Sequence, residues 1–288
     1  MTQAHGGYYV PHQTHWPIVG SIGMFVLLVG FASLLNGTDI GPTLMVVGGI
    51  ITALMLVGWF GTVIRENQQG VYHAQEDMSF RWGMGWFIFS EVMFFAAFFG
   101  ALFYARVLSV PWLGGAAPEE WTHRLLWEGF TAGWPTNGPA GIGGSYDAMP
   151  AWGLPAINTL VLLSSGVTVT IAHWGIKQQN QLKIIGGLVA TVALGLVFVA
   201  LQGYEYMEAY KHMNLTLESG IYGSTFFMLT GFHGLHVTIG AIILLVMLGR
   251  AIAGHFTPHN HFAFEAAAWY WHFVDVVWLG LFIFVYWL

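Results

Sequence analysis

The segment Lys183-Ile-Ile-Gly-Gly-Leu-Val-Ala-Thr-Val-Ala-Leu-Gly-Leu-Val-Phe-Val-Ala-Leu-Gln-Gly-Tyr-Glu-Tyr-Met207 carries no charge between Lys183 and Glu205. A bilayer core about 30 Å thick needs roughly 20 apolar residues in a helix, and this run supplies them. Inside lipid the backbone must satisfy its own hydrogen bonds, which leaves helices or closed barrels. A barrel would show short segments of alternating polarity, and the sequence has none.

Working outward, six more stretches meet the same test, near Pro17–Leu35, Pro42–Ile64, Trp82–Val107, Pro155–Gly175, Ile221–Leu248 and Ala267–Leu288. The expectation is an all-α integral membrane protein with seven transmembrane helices, read as a single membrane domain over residues 1–288. Composition agrees. The chain is 56% hydrophobic and only 8% charged, with a mean hydropathy of +0.63; a soluble domain usually carries about 25% charged residues.

The sequence contains no cysteine, which excludes disulfide frameworks, thiolate metal sites and cysteine nucleophiles. Its net charge of −6 argues against a nucleic-acid partner. Met1 to His15 are polar and His-rich, with no basic segment before a short apolar core, so no secretory signal peptide is expected. With seven spans, Arg65, Arg81, Lys177, Lys183 and Arg250 share one side of the membrane, and Arg106, Arg124 and Lys211 the other. That bias puts the N-terminus in the cytoplasm and the C-terminus outside. Acidic residues, among them Glu119, Glu120 and Glu218, gather on the outer side.

Residues 108–154 form a long loop on that outer side. Nine of its 47 residues are Gly and five are Pro, so one continuous helix is not expected there. A folded cap is, with Trp112, Trp121, Trp127, Trp134 and Trp152 packing at the interface. Gly83 and Gly85, Gly186 and Gly187, and Gly231 and Gly234 are candidate points of close helix approach.

Ionisable groups at bilayer depth are functional hypotheses by default. Glu91 lies deep in the third span and has two readings, a proton-linked carboxyl or an acid hydrogen-bonded to a neighbouring helix. His233 and His236, three apart, share a face of the sixth span; they read as half of a metal or haem site, or as helix–helix hydrogen bonds. Glu265, His272 and Asp275 form a polar stripe on the seventh span, expected to meet the stripe on the sixth. Gln202, Glu205 and His173 sit near span ends and read as interfacial. Arg65, Glu66, His73 and Arg250 gather at the inner ends of the second and sixth spans, where they could hold an anionic lipid head group or snorkel to the interface.

Several segments together resemble subunit III of the haem-copper cytochrome c oxidases. They are Phe264-Glu-Ala-Ala-Ala-Trp-Tyr-Trp-His-Phe-Val-Asp-Val-Val-Trp278, Ser90-Glu-Val-Met-Phe-Phe95, Asn158-Thr-Leu-Val-Leu-Leu-Ser-Ser-Gly-Val167, Gly203-Tyr-Glu-Tyr206 and Gly231-Phe-His-Gly-Leu-His236. The resemblance implies a two-helix and a five-helix group around a lipid-filled V-shaped cleft. It implies a non-catalytic subunit of a proton-pumping oxidase of aerobic respiration, bound to phospholipid and to subunits I and II, which hold the haem and copper. It also implies that the subunit stabilises subunit I and supports its proton uptake.

Carried over by position, Glu91 matches the family's intramembrane carboxyl. Trp59, Glu66, His73 and Arg250 match lipid-facing positions, with Phe60 standing where the family has a second Trp. His173 matches the first of two adjacent histidines, with Trp174 in the second place. His233, His236, Glu265, His272 and Asp275 become structural contacts, and no metal ligand or catalytic residue is expected in this chain. The expected location is a bacterial cytoplasmic membrane, favoured over a mitochondrial one by the long loop. Three other readings stand beside this one: subunit III of a quinol oxidase, a transporter with Glu91, His233, His236 and Asp275 as a relay, and a self-contained metalloenzyme.

Overall fold

A computed structural model of the chain describes residues 13–116 and 121–288. The reading of the first twelve residues lies outside them, as do Glu119 and Glu120. Seven helices among the described residues are long and apolar enough to cross a membrane. They are α1 (Trp16–Leu35), α2 (Gly41–Gln68), α3 (Ala74–Leu113), α5 (Leu154–Lys177), α6 (Gln181–His212), α7 (Gly220–Ile252) and α8 (Phe262–Trp287). A short helix, α4 (Trp121–Leu126), lies between α3 and α5.

The helix starts follow local chemistry. Pro17, Pro42 and Pro155 occupy the first turns of α1, α2 and α5, where a missing N–H leaves nothing unsatisfied. Asn180 caps α6, its side chain accepting from the Lys183 N–H at 3.1 Å. At the start of α3 the His73 N–H donates to Glu76 Oε2 at 2.9 Å, which is half of a capping box. Both α3 and α8 loosen into π-turns, over Tyr104–Ser109 and Phe282–Trp287, and the Arg106 guanidinium donates to the Leu288 carbonyl.

The chain divides into two compact units, Met1–Trp82 and Gly83–Leu288. The seam between them falls inside α3, a helix that no composition break marks. In the first unit α1 and α2 pack as an antiparallel pair. Gly23 permits their approach, since a Cβ there would lie 2.7 Å from Thr52 Oγ1, and the Trp16 indole N–H donates to Thr62 Oγ1 at 3.2 Å.

The second unit is tied together by buried aromatic donors on α8. The indole N–H of Trp271 donates to Ser165 and that of Trp278 to Thr159, each at 2.8 Å, joining α8 to α5. Both indoles are fully buried, where an unpaired N–H would be costly. Tyr206 and Thr230 join α6 to α7 at 2.6 Å.

Of the six glycines expected at helix contacts, Gly187 is a close one: a Cβ there would lie 2.8 Å from both the Thr168 carbonyl and Ala172. Gly83, Gly85, Gly186 and Gly234 face open space, and Gly231 has only ordinary contact with Tyr206. Small residues in the sequence do not by themselves say which face meets a neighbour. Closer contacts lie elsewhere, among them Gly48 against Leu27 in the first unit and Gly166 against Asp275 and Gly195 against Trp271 in the second.

The long loop starts later than its expected 108, because α3 runs on to Leu113. Its residues 134–147 fold over the end of the second unit that carries the α6–α7 connection. The Asp147 N–H donates to the Met213 carbonyl at 2.9 Å, the Tyr222 N–H to Thr136 at 3.2 Å, and Asn214 to Ser145 at 2.8 Å. Trp134 packs edge-on against Tyr222, under the Arg106 guanidinium. Tyr146 stacks on Tyr222, and burial pushes its phenol pKa up. Trp112, Trp121 and Trp152 keep about half or more of their surface exposed.

Candidate functional site

The polar groups of the second unit resolve into separate clusters. The first joins α3 to α7. Glu91 Oε2 lies 2.9 Å from His236 Nε2, and His236 Nδ1 lies 2.6 Å from the Phe232 carbonyl. A carbonyl only accepts, so Nδ1 donates. Nε2 then either donates to a carboxylate or accepts from a neutral carboxyl, and either way the pair carries no net charge. That is how an acid is tolerated at bilayer depth. Phe94, Phe95 and Tyr270 rings surround the imidazole, and Tyr270 donates to the His236 carbonyl at 3.3 Å.

His233, one turn earlier, meets α6 and α8 from the other edge of the same face. It is buried, packs against Phe198 and Trp278, and its Nε2 donates to the Val274 carbonyl at 3.1 Å. The two histidines of the sixth span therefore serve different neighbours and do not converge on one ion.

The stripe Glu265, His272 and Asp275 does share a face of α8, as its spacing requires, but that face meets α5 and not the sixth span. His272 Nε2 lies 3.2 Å from Thr170 Oγ1, and its Nδ1 lies 3.4 Å from Asp275 Oδ2. Asp275 sits in the gap that Gly166 leaves. Glu265 Oε1 lies 3.5 Å from His173 Nε2 and 3.3 Å from His261 Nε2. On α5, Gly166, Thr170 and His173 are spaced three and four apart, which puts them on one helix face. That spacing was the available signal for the partner helix.

Glu205 is enclosed by the helices of the second unit. It is 1% exposed and accepts from the Tyr286 hydroxyl at 2.6 Å and from Gln202 at 3.3 Å. A partner 81 positions away left no local trace in the sequence.

The residues expected at lipid lie in both units and are described within each. In the first, Trp59 and Phe60 are exposed and stacked at 6.0 Å between centroids, and Glu66 accepts from the Tyr72 hydroxyl at 2.5 Å. His73 stands at the α3 cap described above. In the second, Arg250 is 8% exposed, with its guanidinium 4.8 Å above the Phe256 ring. Its Nε has no acceptor among the described residues.

Against known proteins, the family described as Cytochrome c oxidase subunit III matches residues 6–125 and 129–288. The chain is 42% identical to cytochrome c oxidase subunit 3 of Drosophila melanogaster over 287 residues, covering 99% of this chain and 98% of that protein. It is 42% identical to the protein of the same description from Marchantia polymorpha over 289 residues, with 100% and 98% covered. The corresponding protein of Oncorhynchus mykiss is also 42% identical, over 286 residues, with 99% and 98% covered.

Proposed function

The chain belongs to the cytochrome c oxidase subunit III family, and from that premise we propose that it is the non-catalytic third subunit of a proton-pumping terminal oxidase. Membership places it in an oxidase of aerobic respiration that couples electron transport to proton translocation. In this reading it packs beside subunits I and II, which carry the haem and copper, stabilises subunit I and supports its proton uptake. The engagement of the intramembrane imidazoles supports a non-catalytic role. His233, His236 and His272 each face a carbonyl, carboxyl or hydroxyl of this chain. The same engagements split a Glu91–His233–His236–Asp275 relay into separate pairs, which disfavours the transporter reading.

The lipid-holding role rests on one observation above the others, the buried Arg250 with an unpartnered Nε. A desolvated guanidinium calls for an anion, and a phosphodiester head group matches its planar donors. Trp59, Phe60, Glu66 and His73 are proposed as the lipid contacts of the first unit. The N-terminus is placed on the cytoplasmic side in this reading, on the bias of basic residues; the bacterial cytoplasmic membrane is proposed on the long outer loop alone.

Arg250→Ala tests this role. A charge-assisted hydrogen bond contributes about 1.5–3 kcal/mol, so phospholipid should bind about tenfold or more weakly. Phosphorus and lipid analysis of the purified complex should show lipid lost, and the active lifetime during turnover should shorten. Unchanged lipid content with unchanged lifetime would refute the role.

A further inference from the structure

We infer that His173, His261 and Glu265 form a binding site for a redox-inert divalent metal, of which zinc fits best. Their ligand atoms all lie within 4.8 Å of one another. The distances suit a metal better than a hydrogen-bonded cluster. A charge-assisted N–H···O bond runs about 2.7–2.9 Å, whereas Glu265 Oε1 stands 3.5 Å from His173 Nε2 and 3.3 Å from His261 Nε2. Neither imidazole nitrogen makes a hydrogen bond with the described residues, although both are buried. A tetrahedral zinc with bonds of about 2.0–2.1 Å holds adjacent ligand atoms about 3.3 Å apart. The two Glu265 separations lie near that spacing, and a small closure of the His173 and His261 rings would complete it.

The surroundings aim the donors. His261 Nδ1 donates to the Thr257 carbonyl at 3.0 Å. That bond fixes the tautomer, turns the ring, and leaves the neutral imidazole's lone pair on Nε2, facing Glu265. The carbonyl is itself held in place by the turn in which the Thr257 and Asn260 backbones exchange hydrogen bonds at 3.2 Å. On the other side, the His173 ring packs against His261 and Phe264. Side-chain exposures of 21% for His173, 14% for Glu265 and 9% for His261 leave a way in for a small ion.

Two imidazoles and one carboxylate supply three protein ligands, and the fourth position of a tetrahedral ion is open to water or another donor. His173 lies in the last turns of α5, while His261 and Glu265 lie at the start of α8. The ion would staple those two helix ends together. This site is independent of the lipid role, and its failure would leave that role untouched.

The test uses the intact oxidase complex, stripped with a chelator, reloaded with Zn2+ and desalted, with metal counted by mass spectrometry. The wild-type complex should take up one zinc that complexes carrying His261→Ala or His173→Gln do not, at equal haem content. Equal uptake by all three, or none by the wild type, overturns the site. Should the variants fail to assemble, zinc-edge diffraction from the unsubstituted reloaded complex decides. A peak bounded by the three side chains supports the site, and no peak there overturns it.

Discussion

Glu91 and His236 are 145 positions apart in the chain and 2.9 Å apart in space. Their pairing turns an open question about a lone membrane carboxyl into one about a neutral acid–base pair. Two substitutions separate structure from proton chemistry. Glu91→Gln keeps a donor for His236 Nε2, so the complex should assemble with normal proton uptake if the pair only holds α3 to α7. Loss of uptake by an assembled Glu91→Gln complex would show that the proton itself matters. His236→Leu leaves the carboxyl with only the long contact from the Ser90 hydroxyl, 3.4 Å from Oε1, at a cost of about 1–3 kcal/mol for the lost partner, and should lower the yield of assembled complex. Residue-level partners of this kind were the least legible part of the sequence. Periodicity places His233 and His236 on one helix face, yet the residues at the two edges of that face meet different helices. The His261–Glu265 spacing of four was visible in Thr257-Pro-His-Asn-His-Phe-Ala-Phe-Glu265, but the approach of His173 from α5 needed the fold.

At the scale of elements, the spans were legible because lipid imposes a length and forbids long charged runs. What the sequence concealed was which face of each helix is buried. Gly186 and Gly187 read alike, but only Gly187 is pressed against Thr168 and Ala172. Gly187→Leu should therefore cost about 1–3 kcal/mol through overpacking, seen as a lower thermal midpoint of the complex in mild detergent. Gly186→Leu, facing open space, should leave that midpoint nearly unchanged. Equal effects of the two substitutions would contradict the packing described for α5 and α6. The loop over residues 108–154 shows the same limit. Its Gly and Pro content announced irregular structure, whereas its attachment to the α6–α7 connection depends on backbone hydrogen bonds that carry no side-chain signature.

For the whole molecule, the exposed surface carries the argument. Phe25, Leu54 and Val57 of the first unit each keep more than 60% of their surface exposed, as do Leu160 and Val276 of the second. Such surface is stable only against lipid or against other membrane subunits. A member of this family should therefore be found in company. Extraction in mild detergent, followed by an optical spectrum and an inventory of the subunits recovered, tests that directly. The account predicts that this chain co-purifies with a haem-bearing subunit and that the preparation shows haem absorption. Gentle extraction that yields the chain alone, intact and without haem, would contradict it.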